Sequence, residues 1–276
     1  MTSSPKTRIA LIGECMLELQ GQAFGAMTQG FGGDTLNTAV YLARCGGPQL
    51  SVSYATGLGD DRFSGLMMDA WAQEGIALDL VCRLPGRLPG LYMIELSEAG
   101  ERSFSYWRDN AAARSYFDAP STPLEDRVSD WDAFYLSGIS LAILPPAGRE
   151  RLFALMRTLR DRGARVVFDN NYRPRLWADA DTARACFERA FALANVALVT
   201  ADDHQLLIVL LAEDGDVRLH LIEQLGDDQG DATEHLRPEI ALQAQGGAGH
   251  GDAGREAVGI HFLGRGGEHQ VTAGAG

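Results

Sequence analysis

The sequence lacks most of what would mark a protein for nucleic acid, membrane or metal. Lysine occurs once, at Lys6, and acidic residues outnumber basic ones by 13. Neutralising a phosphate backbone requires a basic face, so no nucleic acid partner is expected. A small anion is not excluded, because a few arginines or backbone N–H groups suffice to hold one. No apolar run approaches the ~20 residues of a membrane span, so no membrane partner is expected. Residues Met1–Ile9 are polar and carry no apolar stretch followed by a cleavage site, and a cytoplasmic protein is the expectation. Cysteine is sparse. Cys15, Cys45, Cys82 and Cys186 are scattered without a CxxC pair, which reads as reduced structural thiols.

A further scarcity is local. Only one aromatic residue, Phe262, follows Phe191, and five of the six histidines follow Leu207. Residues 208–276 carry four arginines against twelve acids. Gly246–Gly254 is low in complexity, as a poorly packed tail would be. The division expected is a core over 1–207 and an atypical tail over 208–276.

Before Leu207 the pattern alternates. Apolar runs at Ile9–Cys15, Ser51–Thr56, Ala133–Ser137, Arg165–Asp169 and Val196–Thr200 read as strands. Helical spacing marks Thr35–Cys45, Asp61–Glu74, Gly148–Asp161 and Thr182–Ala194. In the second of these Phe63, Leu66, Met67, Ala70 and Trp71 are expected on one buried face. Leu91–Leu96 and Ser103–Trp107 read as a hairpin across Ser97–Gly100. Strands separated by helices imply an α/β fold with a parallel sheet covered on both faces, and the hairpin is an accessory flap.

Four stretches carry the chemistry. Gly30-Phe31-Gly32-Gly33-Asp34-Thr35-Leu36-Asn37 opens a helix; its glycines admit a ligand close to the backbone, and Asp34 and Asn37 are placed to bond hydroxyls. A plainer reading makes Asp34 the helix N-cap. Gly57-Leu58-Gly59-Asp60-Asp61 follows a strand and opens another helix. Asp169-Asn170-Asn171-Tyr172-Arg173-Pro174-Arg175-Leu176-Trp177 follows a strand, at the carbonyl end where open α/β sheets bind ligands. Tyr92, Tyr106 and Arg108 lie on the flap. A guanidinium there matches a carboxylate with two parallel hydrogen bonds, although Arg108 also reads as an exposed hairpin arginine and Tyr92 as a core cover.

In order and spacing these stretches resemble the ribokinase-like, PfkB-type carbohydrate kinases, and most nearly their 2-keto-3-deoxygluconate kinase branch, over about residues 7–207. The resemblance implies a three-layer sandwich with a mostly parallel sheet and a small β lid built from segments near 14–33 and 84–110. It implies ATP-dependent phosphorylation of a sugar acid at its terminal hydroxyl, with Mg²⁺ accompanying ATP. By the same resemblance Gly33, Asp34 and Asn37 hold sugar hydroxyls, and Tyr92, Tyr106 and Arg108 meet the acid end. Arg173 binds substrate or a phosphate oxygen, Asn171 lies near the nucleotide, and a homodimer forms through the lid.

The family's later signature, Asp-Thr-x-Gly-Ala-Gly-Asp-x-Phe, is missing, and with it the anion hole and the base. Asp252 sits among glycines at the wrong offset, so no catalytic base is assigned. The coincident changes near Leu207–Ile208 are what a disrupted reading frame would produce. The alternatives are a fructokinase-like enzyme, which needs no arginine for an acid group, and a non-catalytic sugar-acid-binding remnant. A nicotinamide dehydrogenase is disfavoured, since the first strand leads into Gly13-Glu14-Cys15-Met16 instead of a Gly-x-Gly-x-x-Gly turn.

Overall fold

The computed structural model describes residues 6–96, 102–199, 218–221, 260–264 and 267–271. The turn at 97–100, Thr200, and the glycine-rich stretch containing Asp252 lie outside the described residues. The chain divides into two units, Met1–Leu242 and Gln243–Gly276.

The first unit is built on parallel strands: β1 (Thr7–Ile12), β4 (Leu50–Leu58), β5 (Val81–Arg83), β8 (Ala133–Ser137), β9 (Arg165–Asp169), β10 (Val196–Val199) and β11 (Arg218–Leu221). They form one sheet in the order β11-β10-β9-β8-β1-β4-β5, and every neighbouring pair runs parallel. The last of these strands comes from beyond Leu207. The chain leaves β1 toward β4 on one side and returns to β8 on the other, which opens a crevice at the carbonyl ends of β1 and β8.

Alternation along the strands sorts the core into two layers. Ile9, Leu11, Val52 and Tyr54 pack under helices α1 (Asp34–Cys45) and α2 (Arg62–Gln73). Ala10, Ile12, Phe134, Leu136, Val166 and Phe168 face the other way, against α4 (Gly138–Ile143), α5 (Pro146–Asp161) and α6 (Ala180–Leu193). The short α3 (Pro123–Asp126) opens with a capping box at Thr122 and Glu125. The three-layer, ribokinase-like α/β sandwich expected from the sequence is therefore the architecture found.

One helix face needs correction. In α2 the buried residues are Ser64, Met67 and Trp71, whereas Phe63 and Leu66 are 41% and 52% exposed. Ser64 Oγ donates to the capping Asp61 at 2.6 Å and accepts from Gly59 N–H at 3.0 Å. This cap holds the polar Ser64 inward and turns the two apolar neighbours out.

A lid of four strands stands apart from the main sheet: β2 (Met16–Gly21), β3 (Met27–Gly32), β6 (Leu91–Leu96) and β7 (Arg102–Trp107), in the order β3-β2-β6-β7. The hairpin expected at Leu91–Trp107 is there, with Tyr92 opposite Tyr106. A second hairpin, β2–β3, joins it through a parallel seam between β2 and β6. In the second unit β12 (Ile260–Gly264) pairs antiparallel with β13 (Gly267–Val271). Among the described residues no helix is long and apolar enough to cross a membrane.

Candidate functional site

The sequence motifs gather where β1 and β9 end and the lid begins. Gly33 precedes α1 in an extended conformation, so its lack of a side chain is a matter of space and not of dihedral strain. A Cβ there would lie 2.2 Å from the Glu14 carbonyl oxygen. Gly32 is crowded instead by a side-chain tip, with a Cβ falling 2.5 Å from the Tyr92 hydroxyl. The glycines thus seat the first turn of α1 against the residue that leaves β1 and against the lid.

Asp34 is the first helical residue and not the cap, which corrects its plainer reading. Gly33 occupies the cap position with no side-chain hydrogen bond. The Asp34 carboxylate is free of the cap role and accepts from Asn171 Nδ2 at 2.7 Å. A carboxylate in the first turn is also favoured by the helix dipole. Asn171 has φ +27°, a region costly for most side chains and tolerated by asparagine. Its backbone N–H donates to Asn170 Oδ1 at 2.8 Å. Two bonds therefore hold the strained residue, and residues from the first and third motifs meet at one point. Asn37, one turn along α1 from Asp34, is exposed. Arg173 is also exposed and donates to its neighbour's carbonyl, Tyr172 O, at 2.9 Å.

Tyr135 is a site neighbour that the sequence reading missed. Its hydroxyl, from the middle of β8, donates to Asp169 Oδ2 at 2.9 Å and lies 3.5 Å from Thr38 Oγ1. Burial pushes its phenol well above the ordinary range, and the Asp169 charge adds to this, so it stays a neutral donor. Buried tyrosines usually find such a partner. Asp169 is thereby tied to the neighbouring strand β8 and, through Tyr135, to α1.

In the lid, Tyr92 is half-buried and donates to the Glu18 carboxylate. Its ring stacks on Tyr106 at 6.0 Å, and Tyr106 stacks on Phe104 at 6.3 Å. Burial first, and then Glu18, raises the Tyr92 phenol. Tyr106 is 51% exposed. The reading of Arg108 as an exposed hairpin arginine is overturned, because it is buried and ion-paired with the buried Glu14. Its guanidinium carbon also lies 6.0 Å from the Tyr106 ring. Glu14 is a second residue the sequence reading passed over. Burial raises its carboxyl above the usual range, and the attraction of Arg108 opposes this only in part.

The second motif is architectural. A Cβ at Gly59 would lie 1.9 Å from the Arg87 carbonyl, and Asp61 caps α2. Trp177, in the third motif, is core as expected. Among the described residues no group of three His, Cys, Asp or Glu side chains is placed to hold a metal ion.

The sequence profile of the pfkB family of carbohydrate kinases matches residues 6–232. The 2-dehydro-3-deoxygluconokinase of Dickeya dadantii (strain 3937) is 48% identical over 201 residues, covering 72% of this chain and 64% of that protein. The enzyme of the same name from Escherichia coli (strain K12) is 46% identical over 202 residues, covering 72% of this chain and 65% of its own. The chain thus spans just under two thirds of the length of these relatives. Among solved structures, fructokinase with bound ATP from Xylella fastidiosa superimposes with a TM-score of 0.62 at 28% identity, over 73% of this chain and 60% of that one. The chain belongs to the pfkB family of carbohydrate kinases.

Proposed function

We propose that this chain binds a sugar acid, 2-keto-3-deoxygluconate (2-dehydro-3-deoxygluconate), and that its inherited role is ATP-dependent phosphorylation of the terminal hydroxyl. One observation carries the reading. Glu14 packs its carbonyl against Gly33 and its carboxylate against Arg108, so the hydroxyl-binding turn and the lid arginine share one neighbour. A ligand with hydroxyls at one end and a carboxylate at the other suits that pairing. The relatives named for this substrate are 48% and 46% identical, against 28% for the fructokinase.

In this proposal Gly33 admits the sugar, and Asp34 and Asn37 accept and donate hydrogen bonds to its hydroxyls. Tyr92 and Tyr106 cover it, and Arg108 meets the acid end. Asn171 and the exposed Arg173 fit the phosphate side, where each carries N–H donors. Bound ATP would supply the phosphoryl group, and Mg²⁺ would neutralise the charge on its phosphates.

The missing base and anion hole set the expected rate. Loss of a general base costs about 10²–10⁴-fold, and loss of anion-hole donors about 10²–10³-fold more. We therefore expect binding with little turnover. The test is a thermal-shift titration with the sugar acid beside a coupled ADP-release assay. A shift without turnover is the expected result; absence of a shift with the acid overturns the reading. Turnover near that of a typical kinase, roughly 1–100 s⁻¹, would place a working base in residues 208–276 and remove the proposed frame disruption. Replacing Arg108 by Ala separates the acid kinase from the fructokinase alternative, since only the former loses affinity. The exposed Trp107 on β7 lies on the strand face opposite Phe104 and Tyr106, and there we place the homodimer contact; sedimentation of Trp107→Glu tests it.

A further inference from the structure

The Glu14–Arg108 pair is built in an incomplete way. Glu14 is 2% exposed and Arg108 8%, and a single hydrogen bond joins them, Arg108 Nη2 to Glu14 Oε2. Arginine and carboxylate usually pair through two parallel bonds. Here the second acceptor, Glu14 Oε1, and a second donor, Arg108 Nε, are both buried and have no partner among the described residues. Buried polar groups left in this state are costly and are exceptions that call for a reason. The room for Oε1 is made by Gly90, where a Cβ would lie 2.5 Å from that oxygen and 3.2 Å from Arg108 Cβ. Three segments thus converge: the end of β1, the entry to β6 and the exit from β7. Arg114 and Asp34 add charges of opposite sign within electrostatic range of Glu14.

We infer that Glu14 is a resident counter-anion for Arg108, a specificity-determining residue with which the carboxylate of an incoming sugar acid must compete for the guanidinium. The inference rests on the sugar-acid reading above. With Glu14 ionised, an approaching acid meets a neutral pair in place of a cation, and it also approaches a like charge. Arg108 spends one of its five donors on Glu14 and keeps the others for a second carboxylate. The arrangement admits an acid while lowering its affinity, and it is indifferent to a neutral sugar. Glu14 acts through Arg108 and is a positioning residue.

The experiment uses the full chain and calorimetric titration with two ligands. One is 2-keto-3-deoxygluconate; the other is 3-deoxyfructose, which carries CH₂OH in place of the carboxylate. Glu14→Gln keeps the size and an acceptor oxygen and removes the charge. It should tighten the acid at least tenfold and leave the neutral sugar within threefold. Glu14→Met removes the charge without burying an amide and carries the same expectation if the glutamine variant does not fold. Unchanged or weaker acid binding in a folded charge-removed variant overturns the inference. So does an equal gain for both ligands, which would indicate a general change in packing. Absence of acid binding in the wild type and in every variant overturns the sugar-acid reading itself.

Discussion

The α1–α2 face of the sheet differs along its width. At β1 and β4, Leu11, Val52 and Tyr54 are almost wholly buried beneath the two helices. At β9 and β10, on the same face, Val167 and Leu198 are only half-buried, although Val166, Phe168, Ala197 and Val199 beneath them are fully covered. Parallel sheets are normally covered on both faces. The well-covered half carries Gly33, Asp34 and the lid root. The half-covered part begins where Asn171 and Arg173 leave β9. Stability and the residues proposed to hold the sugar therefore go together, and the residues proposed for the phosphates stand beside the less protected sheet.

Four substitutions break or sharpen this contrast. The largest effect is expected for Leu11→Ala, about 2–5 kcal/mol of unfolding free energy by urea titration; a loss below 1 kcal/mol would mean the covered half is not the stable one. Gly33→Ala comes next. Its Cβ would meet the backbone at Glu14 O and Cys15 Cα, at 2.2 and 3.1 Å, neither of which can swing aside, so about 1–3 kcal/mol is expected together with weaker sugar-acid binding. Third is a pH effect at Glu14. Burial first raises its carboxyl, against the pull of Arg108. A carboxyl raised in the folded state stabilises while protonated. That contribution is complete below the ordinary glutamate value of about 4.3 and is lost as pH rises through the raised value. Relative to Glu14→Gln, the wild type should lose stability upward from pH 4.3, with a slope of at most about 1.4 kcal/mol per pH unit; parallel stability curves would contradict it. The smallest effect belongs to Leu198→Ala, below about 1 kcal/mol for a half-exposed side chain, and a loss matching Leu11→Ala would erase the contrast.

Much of this was legible in the sequence because it is local. The bounds of β8 and β9 follow from short apolar runs with polar flanks, and the lid hairpin follows from two such runs on either side of Ser97–Gly100. The face of α2 was misread because the count of apolar residues ignored the cap, which rotates Ser64 inward. The site pairings were illegible for a different reason. Asn171 and Asp34 are separated by 137 positions, and Arg108 and Glu14 by 94. No local pattern marks a carboxylate whose partner lies that far along the chain. Glu14 looked like the end of a strand, and Tyr135 like an ordinary strand aromatic. Strand β11 was hidden too, since residues 208–276 give few periodic windows.

The parallel seam of the lid has a kinetic consequence. Leu17 through Gly21 pair with Leu91 through Glu95, and Leu17 N–H donates to Gly90 O at 2.8 Å. Each hairpin forms from neighbouring residues, but the seam closes a long loop that has to be ordered first. The order expected on refolding is β1 with β4, then the two hairpins separately, and the seam last. Unfolding would retrace it in reverse, so amide exchange at Tyr92 and Ile94, whose N–H groups face β2 across the seam, should outpace exchange at Ala10 and Leu11 even though all four sit in hydrogen-bonded strands.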